Sequence, residues 1–78
     1  MPQYFFHIFN DDIVMDEEGQ ELADLEAARE VALDSARDLV CESVQHGHLN
    51  LDHRIEVEDD KGETLLVLTF RDAFTIQN

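Results

Sequence analysis

The chain has 78 residues, 5 Lys+Arg against 19 Asp+Glu, a formal net charge of −14, 44% hydrophobic residues and one cysteine. A chain this short forms one domain, over 1–78, and buries roughly 60% of the surface its unfolded form exposes, so little stability is left over for an elaborate active site. The charge excludes phosphate backbones and anionic lipid as direct partners. Both require clustered Lys or Arg, and the basic residues Arg29, Arg37, Arg54, Lys61 and Arg71 are scattered. Cys41 has no second cysteine to pair with, and neither a signal-peptide pattern nor an apolar run of about 20 residues is present. The expectation is a cytoplasmic protein with no membrane partner.

Residues Tyr4 to Phe9 are aromatic or β-branched apart from His7, and Asn10-Asp11-Asp12 follows as turn chemistry, which predicts a strand entering a hairpin. Ile13-Val14-Met15 is the short return strand. Asp16-Glu17-Glu18-Gly19 reads as a second turn, with Gly19 supplying a positive φ, and Gln20-Glu21-Leu22 as a brief third strand.

Asp24 is a suitable N-cap, and from Leu25 to about Gln45 there is no Pro or Gly while Ala, Leu, Glu and Arg dominate, which predicts one long helix. At 100° per residue Leu25, Ala28, Ala32, Leu33, Ala36, Leu39, Val40 and Val44 form a continuous apolar stripe suited to lying on a sheet. Gly47 is the expected C′ residue, with His46 at the negative end of the helix dipole. His48 to His53 is a polar connection, after which Ile55 and Val57 alternate with Glu56 and Glu58 as a strand with one wet face. Asp59-Asp60-Lys61-Gly62 is a hairpin turn, Thr64 to Phe70 the returning strand, and Arg71 to Asn78 a tail.

The expected fold is therefore α+β, a β-β-(β)-α-β-β antiparallel sheet with one long helix packed on one face. The first and last predicted strands are apolar on both sides, which predicts that they are central and adjacent. One helix covers one face only, so Phe5, His7, Phe9, Leu65 and Val67 on the other face predict either a homodimer through that face or cover by the tail.

Candidate chemistry is sparse. His46, His48 and His53 lie near Asp52, and imidazole with carboxylate is a usable zinc or nickel ligand set, but a His-x-His in a loop lacks the rigid spacing of a built metal site. No metal or cofactor is expected. His7 fits an interface histidine better than a catalytic base, since no nucleophile is placed beside it, and Cys41 falls on the polar side of the helix. Neither acidic turn follows the alternating pattern of a calcium loop, and phosphate-loop, Cys-x-x-Cys and Gly-x-Ser-x-Gly patterns are absent. Glu26, Glu30, Asp34, Asp38 and Glu42 recur every four residues as one acidic ridge. It is either a solvated face or a docking surface for a basic protein partner.

The opening Met1-Pro2-Gln3-Tyr4-Phe5-Phe6-His7, together with Asp16-Glu17-Glu18-Gly19-Gln20-Glu21-Leu22, Asp24-Leu25-Glu26-Ala27-Ala28 and Arg54-Ile55-Glu56-Val57, resembles a family of short bacterial proteins of unknown function. The resemblance spans nearly the whole chain and implies no activity, ligand or catalytic residue. Tyr4 to about Glu42 is also similar to the N-terminal half of HicB-type antitoxins. No segment that would read an operator follows it here, so that likeness implies protein binding alone. The sequence thus predicts a non-enzymatic interaction or regulatory module that self-associates, with an acidic metal-binding module using the His46 to His53 loop as the alternative.

Overall fold

A computed structural model describes residues 2–75. Its elements are β1 (Gln3–Phe9), β2 (Ile13–Val14), β3 (Gln20–Glu21), α1 (Leu25–Gln45), β4 (Arg54–Glu58), β5 (Thr64–Thr69) and a 3-10 turn at Phe70–Ala73. The strands form one antiparallel sheet in the order β2-β1-β4-β5, with β3 pairing the same edge of β1 as β2 at the other end of the strand. This is the expected α+β architecture, with strands before and after a single helix.

The helix begins and ends as its caps dictate. The Asp24 carboxylate accepts the Ala27 N–H at 2.9 Å. At the other end His48 N–H donates to Ser43 C=O and Gly47 N–H to Val44 C=O, the paired bonds of a Schellman motif closed by Gly47 at φ 82°. Ala28, Ala32 and Ala36 are fully buried, and Leu33 and Val40 nearly so, so the small side chains let the helix axis settle close to the sheet. The stripe overhangs the sheet at both ends, where Leu25 and Val44 are exposed. Facing the helix are Tyr4 of β1, Ile55 and Val57 of β4, and Leu68 of β5, with Phe70 completing the buried set.

Strand order departs from expectation. β1 and β5 are not neighbours, because β4 lies between them, with Phe6 opposite Val57, Ile8 opposite Ile55 and Ile55 opposite Leu68. Ile55 and Val57 have no exposed surface at all, which makes β4 the centre of the core despite its glutamates. Those glutamates are tolerated in a central strand because each finds a partner on the opposite face, Glu56 with Arg54 at 2.7 Å and Glu58 with His7 at 3.0 Å.

The tail, as far as Thr75, does not cover that opposite face. β5 ends at Thr69, Phe70 N–H donates to His53 C=O at 2.7 Å, and a Thr69/Asp72 capping box starts the 3-10 turn. The turn packs on α1, where Arg37 Nε donates to Ala73 C=O at 3.0 Å. Ile76 lies outside the described residues.

Because Ala32 fills its site without residual exposure, Ala32→Leu forces helix and sheet apart. The expected loss is about 1–3 kcal/mol, read as a lower urea midpoint with an unchanged slope. An unchanged midpoint would show that the alanine stripe does not set the helix-to-sheet distance.

Candidate functional site

The face of the sheet away from the helix carries Phe5, His7 and Phe9 from β1, Arg54, Glu56 and Glu58 from β4, and Val67 from β5, placed there by strand alternation and register. The register shifts between Val57 and Glu58, so Glu58 stands opposite Thr64, and Leu65 is left as the extra residue of the β5 strand.

The centre of this face is closed by the segment between β2 and β3. β2 and β3 are two fragments of one edge along β1, and the chain between them loops out at Met15 to Gly19. That interruption would leave the Phe6 N–H of β1 without a ladder partner. The Asp16 carboxylate takes the place of the missing strand, with Oδ2 accepting Phe6 N–H at 3.1 Å while Oδ1 accepts Glu18 N–H and Gly19 N–H, each at 3.1 Å. Burial acts to raise the Asp16 carboxyl, but the backbone donors of Gly19, Phe6 and Glu18 outweigh it and hold the carboxyl below its ordinary value.

The same residue fixes His7. Asp16 N–H donates to His7 Nδ1 at 3.0 Å, so Nδ1 carries a lone pair, and the proton of the neutral ring sits on Nε2, which donates to Glu58 Oε2 at 3.0 Å. With 4% of its surface exposed and both ring nitrogens engaged, His7 joins loop, β1 and β4 into one unit. Gly19 completes the closure. Its φ of 71° is left-handed, and a Cβ there would lie 2.8 Å from Phe5 Cε2, so the loop backbone rests directly on the Phe5 ring. Farther along β1, Arg54 stacks its guanidinium 4.3 Å from the Phe9 ring centroid while pairing with Glu56.

Of the five expected interface residues, Phe5, His7, Phe9 and Val67 share this face and Leu65 sits at the bulge of β5, and they are unequally available. Phe5 and His7 lie under the loop and Phe9 under Arg54, while Leu65 and Val67 are 37% and 49% exposed. Arg54, Glu56, Glu58 and Asp16 complete the face, and no sequence motif assigned them to it. The signals available were the odd-even parity of Arg54, Glu56 and Glu58 on a strand, and the Asp-x-x-Gly spacing of an Asx turn at Asp16.

The histidine loop is organised by a residue of the first hairpin. His48 Nε2 lies 3.4 Å and His53 Nε2 3.7 Å from the two oxygens of Asp11, whereas Asp52 faces Arg71 at 3.9 Å. His46 and His48 line a cleft of about 190 Å³ with Asp11, Asp12 and Glu42. Among the described residues no three such side chains are arranged to hold a metal ion. The ridge residues Glu26, Glu30, Asp34, Asp38 and Glu42 are all exposed, with Asp34 3.7 Å from Arg37, and Cys41 is exposed as expected. No helix among the described residues is long and apolar enough to cross a membrane.

The chain belongs to the family described as Domain of unknown function (DUF6894), whose model matches residues 3–71. No curated protein and no solved structure matches it.

Asp16→Asn replaces an acceptor of three backbone N–H groups with an amide that carries donors of its own, and is expected to cost roughly 1.5–3 kcal/mol at neutral pH. A carboxyl lowered by folding stabilises the native state above its unfolded value near 4, and that stabilisation disappears as pH falls through the lower folded value. Chemical unfolding of both proteins at neutral pH and near pH 2 checks this. The gap between them should close in acid, and a gap of constant size would show that the charge on Asp16 is not its source.

Proposed function

We propose that this member of the family is a non-catalytic protein-interaction module, cytoplasmic in its setting, that associates with a second copy through the open face of its sheet and offers its acidic helix to a basic protein partner. The observation that carries the self-association is Val67, half exposed on the open face of β5 with exposed Leu65 two residues before it, next to polar side chains already hydrogen-bonded within the chain. On this face Arg54 pairs with Glu56 and the Glu58 carboxylate accepts from His7, so its polar side chains are already hydrogen-bonded within the chain before another protein covers them. The likeness of Tyr4 to Glu42 to the protein-binding half of HicB-type antitoxins supports the same reading. The single exposed Cys41 fits a reducing compartment.

The ridge supports the basic partner. Five carboxylates at i, i+4 spacing repel one another by about 0.2–0.5 kcal/mol per pair at low salt, an arrangement that lowers the stability of a small domain and gains from a cationic surface laid against it.

Light scattering after size exclusion tests self-association. The expected mass is twice the 9.0 kDa of one chain, and Val67→Asp should return it to one. A wild-type mass of one chain at low and moderate salt overturns this reading. Phe5 sits under the loop rather than at the surface, so Phe5→Asp is expected mainly to lower stability. For the ridge, Glu30→Lys turns two repulsions into attractions. It should raise stability by about 1 kcal/mol at low salt, roughly 4–8 °C in midpoint, with the gain shrinking in high salt.

A further inference from the structure

The longest consecutive run of exposed large apolar residues among the described residues is not on the open face. It runs through Ile13 and Val14 of β2, at the free edge of the sheet, and Met15 at the start of the loop that follows, which are 68%, 52% and 53% exposed. Exposed aliphatic residues at an edge strand, here Ile13 and Val14 of β2 with Met15 directly after it, are what soluble proteins avoid, because the unpaired backbone beside them templates another strand. β2 pairs with β1 alone, and among the described residues no backbone group bonds to its outer side. Val14 stands opposite Ile8 and Ile13 opposite Phe9, so the edge shows apolar side chains on both faces, as a strand expecting a neighbour does. The other edge is built differently, since the shift at Leu65 breaks the register of β5.

Charge selects the neighbour. The exposed carboxylates of Asp12 precede this stretch, and those of Glu17 and Glu18 follow it, with Glu21 farther along the same edge on β3. A second copy pairing here would bring these acids against their own duplicates, a repulsive arrangement across strands. We infer that the β2 edge takes one strand of an extended, apolar peptide segment of another protein, flanked by Lys or Arg at both ends, which continues the sheet by backbone hydrogen bonding. The same carboxylates guard the edge against self-pairing and recruit the cationic flanks of the guest. This rests on the reading of the chain as a module for basic protein partners and moves the contact from the helix to the sheet edge. Strand addition of this kind takes its affinity from main-chain hydrogen bonds and its selectivity from alternate side chains.

The test uses a synthetic peptide of alternating Val and Thr with a Lys pair at each end, titrated into the full chain and followed by backbone amide shifts and amide hydrogen exchange. The expected result is binding that weakens with salt, with shifts and new protection at Ile13, Val14 and Met15. The double variant Ile13→Ser, Met15→Ser should weaken it about tenfold or more, and Asp12→Asn with Glu17→Gln should flatten the salt dependence. Both variants change exposed side chains, and an unchanged amide spectrum elsewhere verifies their fold. Several outcomes overturn the inference. Shifts confined to Glu30, Asp34 and Asp38 leave the helix as the docking surface and remove the edge. Equal binding of the peptide with Glu in place of Lys removes the charge selection. Protection at 13–15 that grows with protein concentration in the absence of peptide makes the guest a second copy. Binding nowhere on the chain removes both the edge and the basic-partner reading.

Discussion

One carboxylate makes the sheet possible. β1 has a continuous neighbour from Phe5 to Phe9 on one side, β4, but on the other side only two short fragments with a gap between them, and the Phe6 N–H faces that gap. A buried or half-buried backbone donor without a partner costs about as much as a lost hydrogen bond. Asp16 fills the gap, folds its own loop by accepting from Glu18 and Gly19, and presents its N–H to His7. From that last bond follow the tautomer of His7, the pairing of Glu58, and hence the ability of β4 to sit at the centre of the sheet with acidic residues on one of its faces.

The chain handles its excess of acids by giving different carboxylates different work. Asp16, Asp24, Asp59 and Asp72 accept backbone N–H groups at turns and helix starts, where their charge is matched by donors that would otherwise be unsatisfied. Glu56 and Glu58 are paired with Arg54 and His7 on the sheet. Asp11 holds the loop of His48 and His53 near the first hairpin. Among the described residues, the ridge on α1 and the group around β2 have no comparable structural task, apart from the Asp34 contact with Arg37. In a domain with so small a core, charge that stabilises nothing internally is most simply understood as charge directed outward.

What could be read from the sequence follows the range of the interactions. The helix from Leu25 to Gln45, its Asp24 cap and its Gly47 terminus depend on neighbours within a few residues, and so did the hairpin at Asp59 to Gly62. Side-chain alternation likewise put Phe5, His7, Phe9 and Val67 on one face. Strand order was not legible in the same way. An alternating Arg-Ile-Glu-Val-Glu pattern describes a strand with one wet face, and nothing local reveals that His7, fifty-one residues from Glu58 in sequence, makes that face compatible with a central position. The bond from Phe6 to the Asp16 carboxylate is equally invisible, because it replaces a strand pairing that the pattern of residues never announces.

The two sides of this sheet therefore answer different demands. On the open face the chain covers its own aromatic residues, Phe5 with Gly19 and Phe9 with Arg54, and hydrogen-bonds its polar side chains before any other molecule arrives. At the β2 edge it does neither. There the aliphatic side chains stand out, and among the described residues the flanking carboxylates Asp12, Glu17, Glu18 and Glu21 make no ion pair. Self-association on the face would reward shape, since its polar groups are already hydrogen-bonded, whereas occupancy of the edge would reward a guest of opposite charge. A domain of 78 residues with one layer of core can in this way separate contact with its own kind from contact with others by location and by charge. Asp16 stands between the two surfaces and holds the loop that closes one of them while ending the exposed stretch of the other.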